Sequence, residues 1–449
     1  MISLPAGRQG VMGYKEYFKD KKVTLMGLGL LGRGVGDARF LAQCGAELIV
    51  TDLKTEVQLA DSLAQLKEFS TITYHVGGHR LEDFKNRDLI LKAAGVPLDS
   101  PFIAEAKKNN IPVRMSADLF AELSGVPIVG VTGTRGKSTV AYLIAHILKT
   151  AGKPMLLGGN IRGISTLAQL DEVIADAIAV LELDSWQLQG FGDAQMSPPV
   201  AVFSTFMPDH MNYYGNDMKK YFVDKANIFI NQHQEDFLIL GGQVTPFIKE
   251  FNYESRIKAH TTVITEKTLP QSWRLKLIGG HNRYNAALAV AAARALGLDE
   301  DSIKEGVESF EAVPGRLQLV KEINGIKIYN DNNATTPEAT IAALHSFDGK
   351  KTVLIAGGAD KGLALEALAD DMKKCKALIL LPGSGTERLR GLLNEHTQVS
   401  SMGEAVNAAI ERATSGDVII LSPAFASFGL FKNEYDRNDQ FVAAIAALV

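Results

Sequence analysis

Short runs of β-branched and aliphatic residues alternate along this chain with longer stretches in which apolar positions recur every three or four residues. That alternation predicts strands joined by helices, the pattern of a parallel α/β sheet. Residues 22–26 read as a strand, 34–44 as a helix and 47–51 as the next strand. A second series opens after Pro127, with a strand at 128–131, a helix at 136–151, and strands at 177–183, 200–206 and 237–240. A third series follows Pro314, with strands at 352–356, 377–381 and 418–421. Each series restarts with its own glycine-rich turn, which predicts three doubly wound units with boundaries near residues 115 and 312. The stretch before about Gly13 fits none of them and reads as an irregular tail.

Composition narrows the class without changing the fold. The chain has 449 residues, 46% of them hydrophobic and 22% charged, enough for about three ordinary globular domains. A net charge of -4 gives no support to a broad nucleic-acid surface. The two cysteines, Cys44 and Cys375, fall in segments predicted to be buried, which excludes a disulfide framework and points to a reducing cytoplasm. Apolar runs such as 419–421 are too short to span a bilayer, and no basic cluster followed by an apolar stretch opens the chain, so neither membrane nor secretion is indicated. Oligomeric state is not readable from the sequence.

The segment from Gly130 through Gly133, Thr134, Arg135, Gly136, Lys137 and Ser138 to Thr139 carries the most chemistry. It follows a β-branched strand and opens an amphipathic helix, so backbone N–H groups and the positive helix end face an anion. Glycine lets such a loop approach phosphate oxygens. Lys137 would neutralise the β- and γ-phosphates of ATP, and Ser138 or Thr139 would help hold Mg²⁺. The strict phosphate-loop pattern requires glycine where Val131 stands, so this is a variant with glycines at 130, 133 and 136. The plain alternative is a glycine-rich turn that binds nothing.

A second glycine loop, Gly27-Leu28-Gly29-Leu30-Leu31-Gly32, joins the first strand to its helix, and Asp52 follows the next strand. This is the dinucleotide-binding fingerprint. A NAD-dependent dehydrogenase is the competing class, opposed by the second phosphate loop and by the lack of an evident hydride-transfer site. The reading adopted is a cradle for a nucleotide diphosphate without redox chemistry.

Three further residues sit where ligands bind in parallel sheets. Glu182 lies near the carboxyl end of a strand, where a carboxylate can ligate Mg²⁺, or can simply be solvated. His210 follows the next strand beside Asp209, either as a metal ligand or as part of a capped helix start. Lys225 stands within a largely apolar helical face; a surface lysine is the default reading. Asn282 and Asn285, three apart at a helix start, share a side and could bracket adenine or phosphate; capping is the alternative for Asn282.

Taken in order, these segments resemble the Mur ligase family, which includes folylpolyglutamate synthases. The likeness runs over essentially the whole chain: the loop 133–139, Gly159-Asn160-Ile161, Glu182 with Ser185-Trp186-Gln187, Asp209-His210-Met211, Lys225, His281-Asn282 with Asn285, Pro314-Gly315-Arg316, and 421–428 with 431–433. The resemblance implies an ATP-dependent ligase adding D-glutamate to UDP-N-acetylmuramoyl-L-alanine through an acyl phosphate, in peptidoglycan precursor synthesis. Its expected parts are a Rossmann-like UDP-binding domain (1–115), a central P-loop-type ATP domain (116–312) and a Rossmann-like amino-acid domain (313–449). By position, Glu182, His210, Lys225 and Ser138 would hold Mg²⁺, with Lys225 carbamylated. Lys137 would act on the phosphates, and Asn282, Asn285, Arg316 and Asp331 would contact the nucleotide. Gly29, Leu30, Leu31 and Asp52 would meet the UDP moiety and Asn160 the acyl group. Lys361, Ser427, Phe428 and Thr335 would line the glutamate site. Three positions depart from the family pattern: Asn333 stands for a lysine, Glu434 for an aromatic and Arg135 for an asparagine. The first two leave open an L-glutamate-adding relative or another ligase of the family; a regulatory binder is opposed by Lys137, Glu182, His210 and Lys225.

Overall fold

A computed structural model of the chain describes residues 13–448; the irregular tail expected before Gly13 lies outside them. Three sheets form in sequence. The first comprises β1 (Lys22–Met26), β2 (Glu47–Asp52), β3 (Thr73–Val76), β4 (Leu89–Lys92) and β5 (Val113–Arg114), in the order β3-β2-β1-β4-β5 with every pair parallel. The second comprises β6 (Ile128–Thr132), β7 (Met155–Gly159), β8 (Ile178–Glu182), β9 (Val200–Phe203), β10 (Phe237–Gly241) and β11 (His260–Ile264). Its order is β11-β10-β9-β6-β8-β7, again parallel throughout. The strands β6 and β8 are buried at every residue, as strands covered on both faces must be, hence their unbroken apolar runs.

The third sheet comprises β12 (Gln318–Ile323), β13 (Ile326–Asn330), β14 (Thr352–Ala356), β15 (Ala377–Leu380), β16 (Thr397–Gln398) and β17 (Val418–Leu421). Its order is β12-β13-β17-β14-β15-β16, and it is parallel except at β12, which pairs antiparallel with β13. That edge hairpin departs from the purely parallel expectation. Asn324 and Gly325, with φ of 52° and 77°, make the Asn-Gly turn that favours a two-residue hairpin.

The chain clusters into two compact units. One takes the residues up to Thr268 with Asn285–Val307; the other takes Leu269–Tyr284 and the chain from Glu308 onward. In the first, the hydrophobic core is continuous across its two sheets, from Phe18 and Leu25 to Phe203 and Leu240. In the second, Leu354 and Ile420 pack on one face of the sheet and Ile355 and Ile419 on the other. In the first two sheets the glycine loops leave strands where the strand order reverses, β1 beside β4 and β6 between β8 and β9, the switch point that opens a crevice for ligands. Among the described residues no helix is long and apolar enough to cross a membrane. Both cysteines are free; Cys44 is buried, whereas Cys375 is only half-buried.

Candidate active site

The phosphate loop is built by its neighbours. The strand β9 ends at Phe203, short of the predicted 206, because the next residues turn to hold the loop. Thr205 accepts the Arg135 N–H at 2.8 Å through its hydroxyl and the Thr134 N–H at 2.8 Å through its carbonyl. Ser204 donates to the Thr132 and Arg135 carbonyls at 3.0 and 2.6 Å. Gly133 has φ of 143°, and a Cβ there would strike the Ser204 hydroxyl. Gly136 has φ of 87° and would place a Cβ 2.5 Å from Asn285 Oδ1, so Asn285 lies directly against the loop. The helix Lys137–Thr150 then starts with no side-chain cap; Ser138 and Thr139 are buried in its first turn.

Two lysines converge on one carbonyl. Lys137 Nζ donates to Gly133 O at 3.0 Å and to Thr134 O at 3.3 Å. Lys225, on the helix Met218–Ala226, donates to the same Gly133 O at 2.9 Å and to Thr132 Oγ1 at 3.4 Å. Lys225 is 1% exposed, so the default surface reading does not hold. Burial, reinforced by the Lys137 charge, pushes its amine well below the ordinary lysine range, against Asp184, Asp209 and Asp224.

Glu182 ends β8, in register with Val131 of β6 and Gly159 of β7. Its carboxylate is buried and has no hydrogen bond or ion pair among the described residues. The Glu182 carbonyl accepts the Asn160 N–H at 2.7 Å, which fixes Asn160 beside it. His210 is held in a left-handed turn (φ 54°) and packs at a tilt against Trp186 with centroids 4.7 Å apart. Desolvation lowers its imidazole below the usual value, Lys137 and Lys225 acting the same way and Asp209 and Asp184 opposing. Asp209 pairs with Arg135 at 3.1 Å, which gives the unusual arginine of the loop a counter-charge. Among the described residues no cluster of three or more His, Cys, Asp or Glu is poised to hold a metal ion. Any cation here would draw on Glu182 together with groups outside that set, Lys225 above all.

The first glycine loop is tied to Asp52, as Gly29 N–H donates to its Oδ2 at 2.9 Å while Lys54 N–H takes Oδ1. Asp52 is 4% exposed, and its carboxylate serves the loop. Leu30 is 56% exposed and Leu31 half-buried, so both flank open space.

The second unit assembles another group. Lys361 Nζ donates to Thr335 Oγ1 at 3.0 Å, and the backbones of Ala359 and Ala426 pair, bringing the Lys361 loop beside Ser427. Ser427 is buried and Phe428 is 62% exposed. Asp331 follows β13; its Oδ1 accepts Leu317 N–H at 3.1 Å and its Oδ2 the Ser422 hydroxyl at 2.8 Å. Burial pushes its carboxyl up to about 7 despite those bonds. Arg316 stands one residue before Leu317, and Asn282, in the first turn of the helix Gly280–Ala295, donates from Nδ2 to Ile278 O just ahead of that helix at 2.8 Å.

Comparison with known proteins gives three matches in chain order. Residues 21–115 match the family described as "Mur ligase MurD-like, N-terminal domain", 131–293 the "Mur ligase middle domain", and 315–425 the "Mur ligase, glutamate ligase domain". A UDP-N-acetylmuramoylalanine–D-glutamate ligase of Roseiflexus sp. (strain RS-1) is 35% identical over 458 residues, covering 94% of this chain and 97% of the relative. The chain belongs to the Mur ligase family. A relative of the same description from Streptococcus pneumoniae (strain P1031) is 33% identical, with 96% and 99% covered. Among solved structures, a UDP-N-acetylmuramate-alanine ligase of Thermotoga maritima matches 95% of this chain and 99% of its own at a TM-score of 0.59. At 17% identity, that likeness concerns the fold alone.

The geometry of this Mur ligase also shows what sequence reasoning passed over. Ser204 and Thr205 shape the phosphate loop but carry no motif of their own. Arg437 is the largest fully buried side chain, donating to Asn332 Oδ1, Asn332 O and Phe425 O at 2.7, 2.9 and 3.1 Å. Its signal, a lone arginine in an amphipathic terminal helix, is indistinguishable from a surface charge. Burial lowers it to about 10, with Glu434 as the opposing charge. Asn333 is directed to the 314–315 turn, its Nδ2 3.4 Å from Pro314 O.

Proposed function

We propose that this chain adds D-glutamate to UDP-N-acetylmuramoyl-L-alanine with hydrolysis of ATP to ADP and phosphate, in the cytoplasm, as a step of peptidoglycan precursor synthesis. The observation that carries the reading is the full-length match to relatives named for that reaction, on a chain whose phosphate loop, Glu182 and Lys225 meet at one sheet edge. Residues 1–115 would bind the UDP moiety, 116–312 ATP and 313–449 the amino acid.

In this reading the γ-phosphate passes to the alanyl carboxylate, giving an acyl phosphate and ADP. The amine of glutamate then attacks the acyl carbon, the amide forms, and phosphate departs with the electron pair of the broken C–O bond. Lys137 would carry positive charge to the transferring group, and the first-turn N–H groups of its helix would face the phosphate oxygens. Asn285 would flank the same loop. A divalent cation fits the residues present, because Glu182 offers a buried, unpaired carboxylate and burial favours at Lys225 the neutral amine that could take up CO₂ as a carbamate. Glu182, Lys225, His210 and Ser138 would hold Mg²⁺, which when bound supplies further charge neutralisation at the phosphates. Asn160 would contact the acyl end, with Gly29, Leu30 and Leu31 at the UDP moiety. Thr335, Lys361, Ser427 and Phe428 would receive glutamate, Lys361 as a point charge on a carboxylate.

In this arrangement Asn333 faces the 314–315 turn, and the Glu434 backbone is tied through its carbonyl to Asn332 Nδ2 at 2.8 Å. The test is ATP-dependent phosphate release with UDP-N-acetylmuramoyl-L-alanine, supplying D-glutamate, L-glutamate and other amino acids in turn. Release with D-glutamate above all others is expected; a stronger response to another amino acid sinks the acceptor assignment.

A further inference from the structure

The first glycine loop and the loop that follows β7 interlock closely. A Cβ on Gly32 would lie 3.5 Å from the Gly163 backbone, and one on Gly36 would lie 2.6 Å from Ser165 Cβ. Ser165 in turn donates to Asp37 Oδ1 at 2.6 Å. Inside this contact stands Arg33, the first residue of the helix Arg33–Gln43. A cation at the positive end of a helix is unfavourably placed unless something compensates it. Departures of that kind from local preference concentrate at functional positions. The guanidinium makes one hydrogen bond among the described residues, from Nη1 to Asn160 Oδ1 at 2.9 Å. With Oδ1 turned to the guanidinium, the Asn160 carboxamide directs its N–H groups the other way, so it can serve as a donor. The Asn160 backbone is fixed to the Glu182 carbonyl, so a single path of contacts runs from the glycine loop through Arg33 and Asn160 to the strand end bearing Glu182.

We propose that Arg33 is a positioning residue of the ligation reaction, orienting the Asn160 carboxamide as a donor to the acyl end of the UDP-linked substrate. The inference rests on the function proposed above. Its test uses the full chain and the variants Arg33→Met, Arg33→Lys, Asn160→Ala and Arg33→Met/Asn160→Ala, assayed with UDP-N-acetylmuramoyl-L-alanine, D-glutamate and ATP. Loss of one charge-assisted hydrogen bond predicts a fall in kcat of roughly tenfold for Arg33→Met, with KM for ATP within about twofold and partial recovery in Arg33→Lys. In the Asn160→Ala background the same change should cost no more than about twofold, since the residue it acts through is gone. Equal losses in the two backgrounds overturn the proposal. A second readout does not depend on turnover: in protein labelled with ¹⁵N-asparagine, the Asn160 side-chain amide resonance should move in Arg33→Met and stay near its place in Arg33→Lys. An unmoved resonance in Arg33→Met also overturns it. Failure of the wild-type chain to turn over these substrates would instead remove the functional reading, and the resonance would still decide whether Arg33 orients Asn160.

Discussion

Replacing Asp37 by asparagine should stabilise the first unit at neutral and alkaline pH, and the size of the gain can be worked out from the structure. Asp37 is buried, and burial raises its carboxyl to about 6, while hydrogen bonds from Ser165 and Ser116 and the charge of Arg33 act the other way. Below the ordinary aspartate value the group is neutral in both folded and unfolded chains and costs nothing. As pH rises the unfolded chain ionises first, so stability falls until the folded carboxyl has ionised too. A shift of this size corresponds to roughly 3 kcal/mol lost above pH 7. Asparagine keeps the acceptor, since both serine hydroxyls, at 2.9 and 2.6 Å, donate to Oδ1. Its new amide N–H groups return about 1–2 kcal/mol of the gain if they find no partner. A net stabilisation of about 1–2 kcal/mol at pH 8 follows, shrinking to nothing near pH 4. The chain has two tryptophans, Trp186 in the first unit and Trp273 in the second, so a Trp273→Phe background leaves fluorescence reporting on the unit that holds Asp37. Urea unfolding at both pH values then reads the effect. A loss of stability at pH 8, or an equal gain at both, would refute the reasoning.

Further outcomes follow from the same contacts. Lys137→Ala should lower phosphate release at least about a thousandfold while calorimetric affinity for the UDP-linked substrate stays within about threefold; undiminished turnover would remove Lys137 from the phosphate site. Lys225→Ala should be inactive, unresponsive to bicarbonate and partly restored by a small carboxylate such as formate, and full activity with no additive would exclude the carbamate. Glu434→Gln should change KM for D-glutamate by less than about threefold, because glutamine keeps the side chain's size and the backbone tie to Asn332. A tenfold fall in that KM would place Glu434 against the acceptor.

What the sequence made legible was whatever a local pattern encodes. The strands β1, β14 and β17 were predicted to the residue because their apolar runs are bounded by turn residues. The variant phosphate loop was readable because glycine spacing and Lys137 are adjacent in the chain. The edge hairpin β12–β13 was missed although Asn324-Gly325 is a recognised hairpin turn, since the polar-rich Gln318–Ile323 lacks the apolar run of a buried strand. The end of β9 was overrun for the opposite reason: Ser204, Thr205 and Phe206 continue a strand-like run, and only contact with the loop 132–135 diverts them. Lys225 read alone defaults to the surface, and only the family resemblance brings it to the site, because no local pattern records that its amine reaches a carbonyl 92 residues away. Arg437 is hidden in the same manner, its partners lying at Asn332 and Phe425.

The shared Gly133 carbonyl explains why two lysines of the same site can do different work. Two amines at 3.0 and 2.9 Å from one oxygen lie no more than about 6 Å apart, where two ammonium charges repel by several kcal/mol once water is excluded. The conflict resolves by burial. Lys137 is only partly buried and stands at the mouth of the loop, where a ligand phosphate would repay its charge; Lys225 is enclosed beneath Tyr221, with its Nζ 4.9 Å from the ring centroid. Burial therefore favours the neutral amine at Lys225 more than at Lys137. In the proposed function, one carbonyl would thus set Lys137, facing the phosphates, beside a Lys225 whose burial favours the neutral amine that a carbamate requires. If Lys225 carries the proposed carbamate, replacing Lys137 should raise the affinity of Lys225 for its proton, so that carbamate formation falls along with phosphate binding.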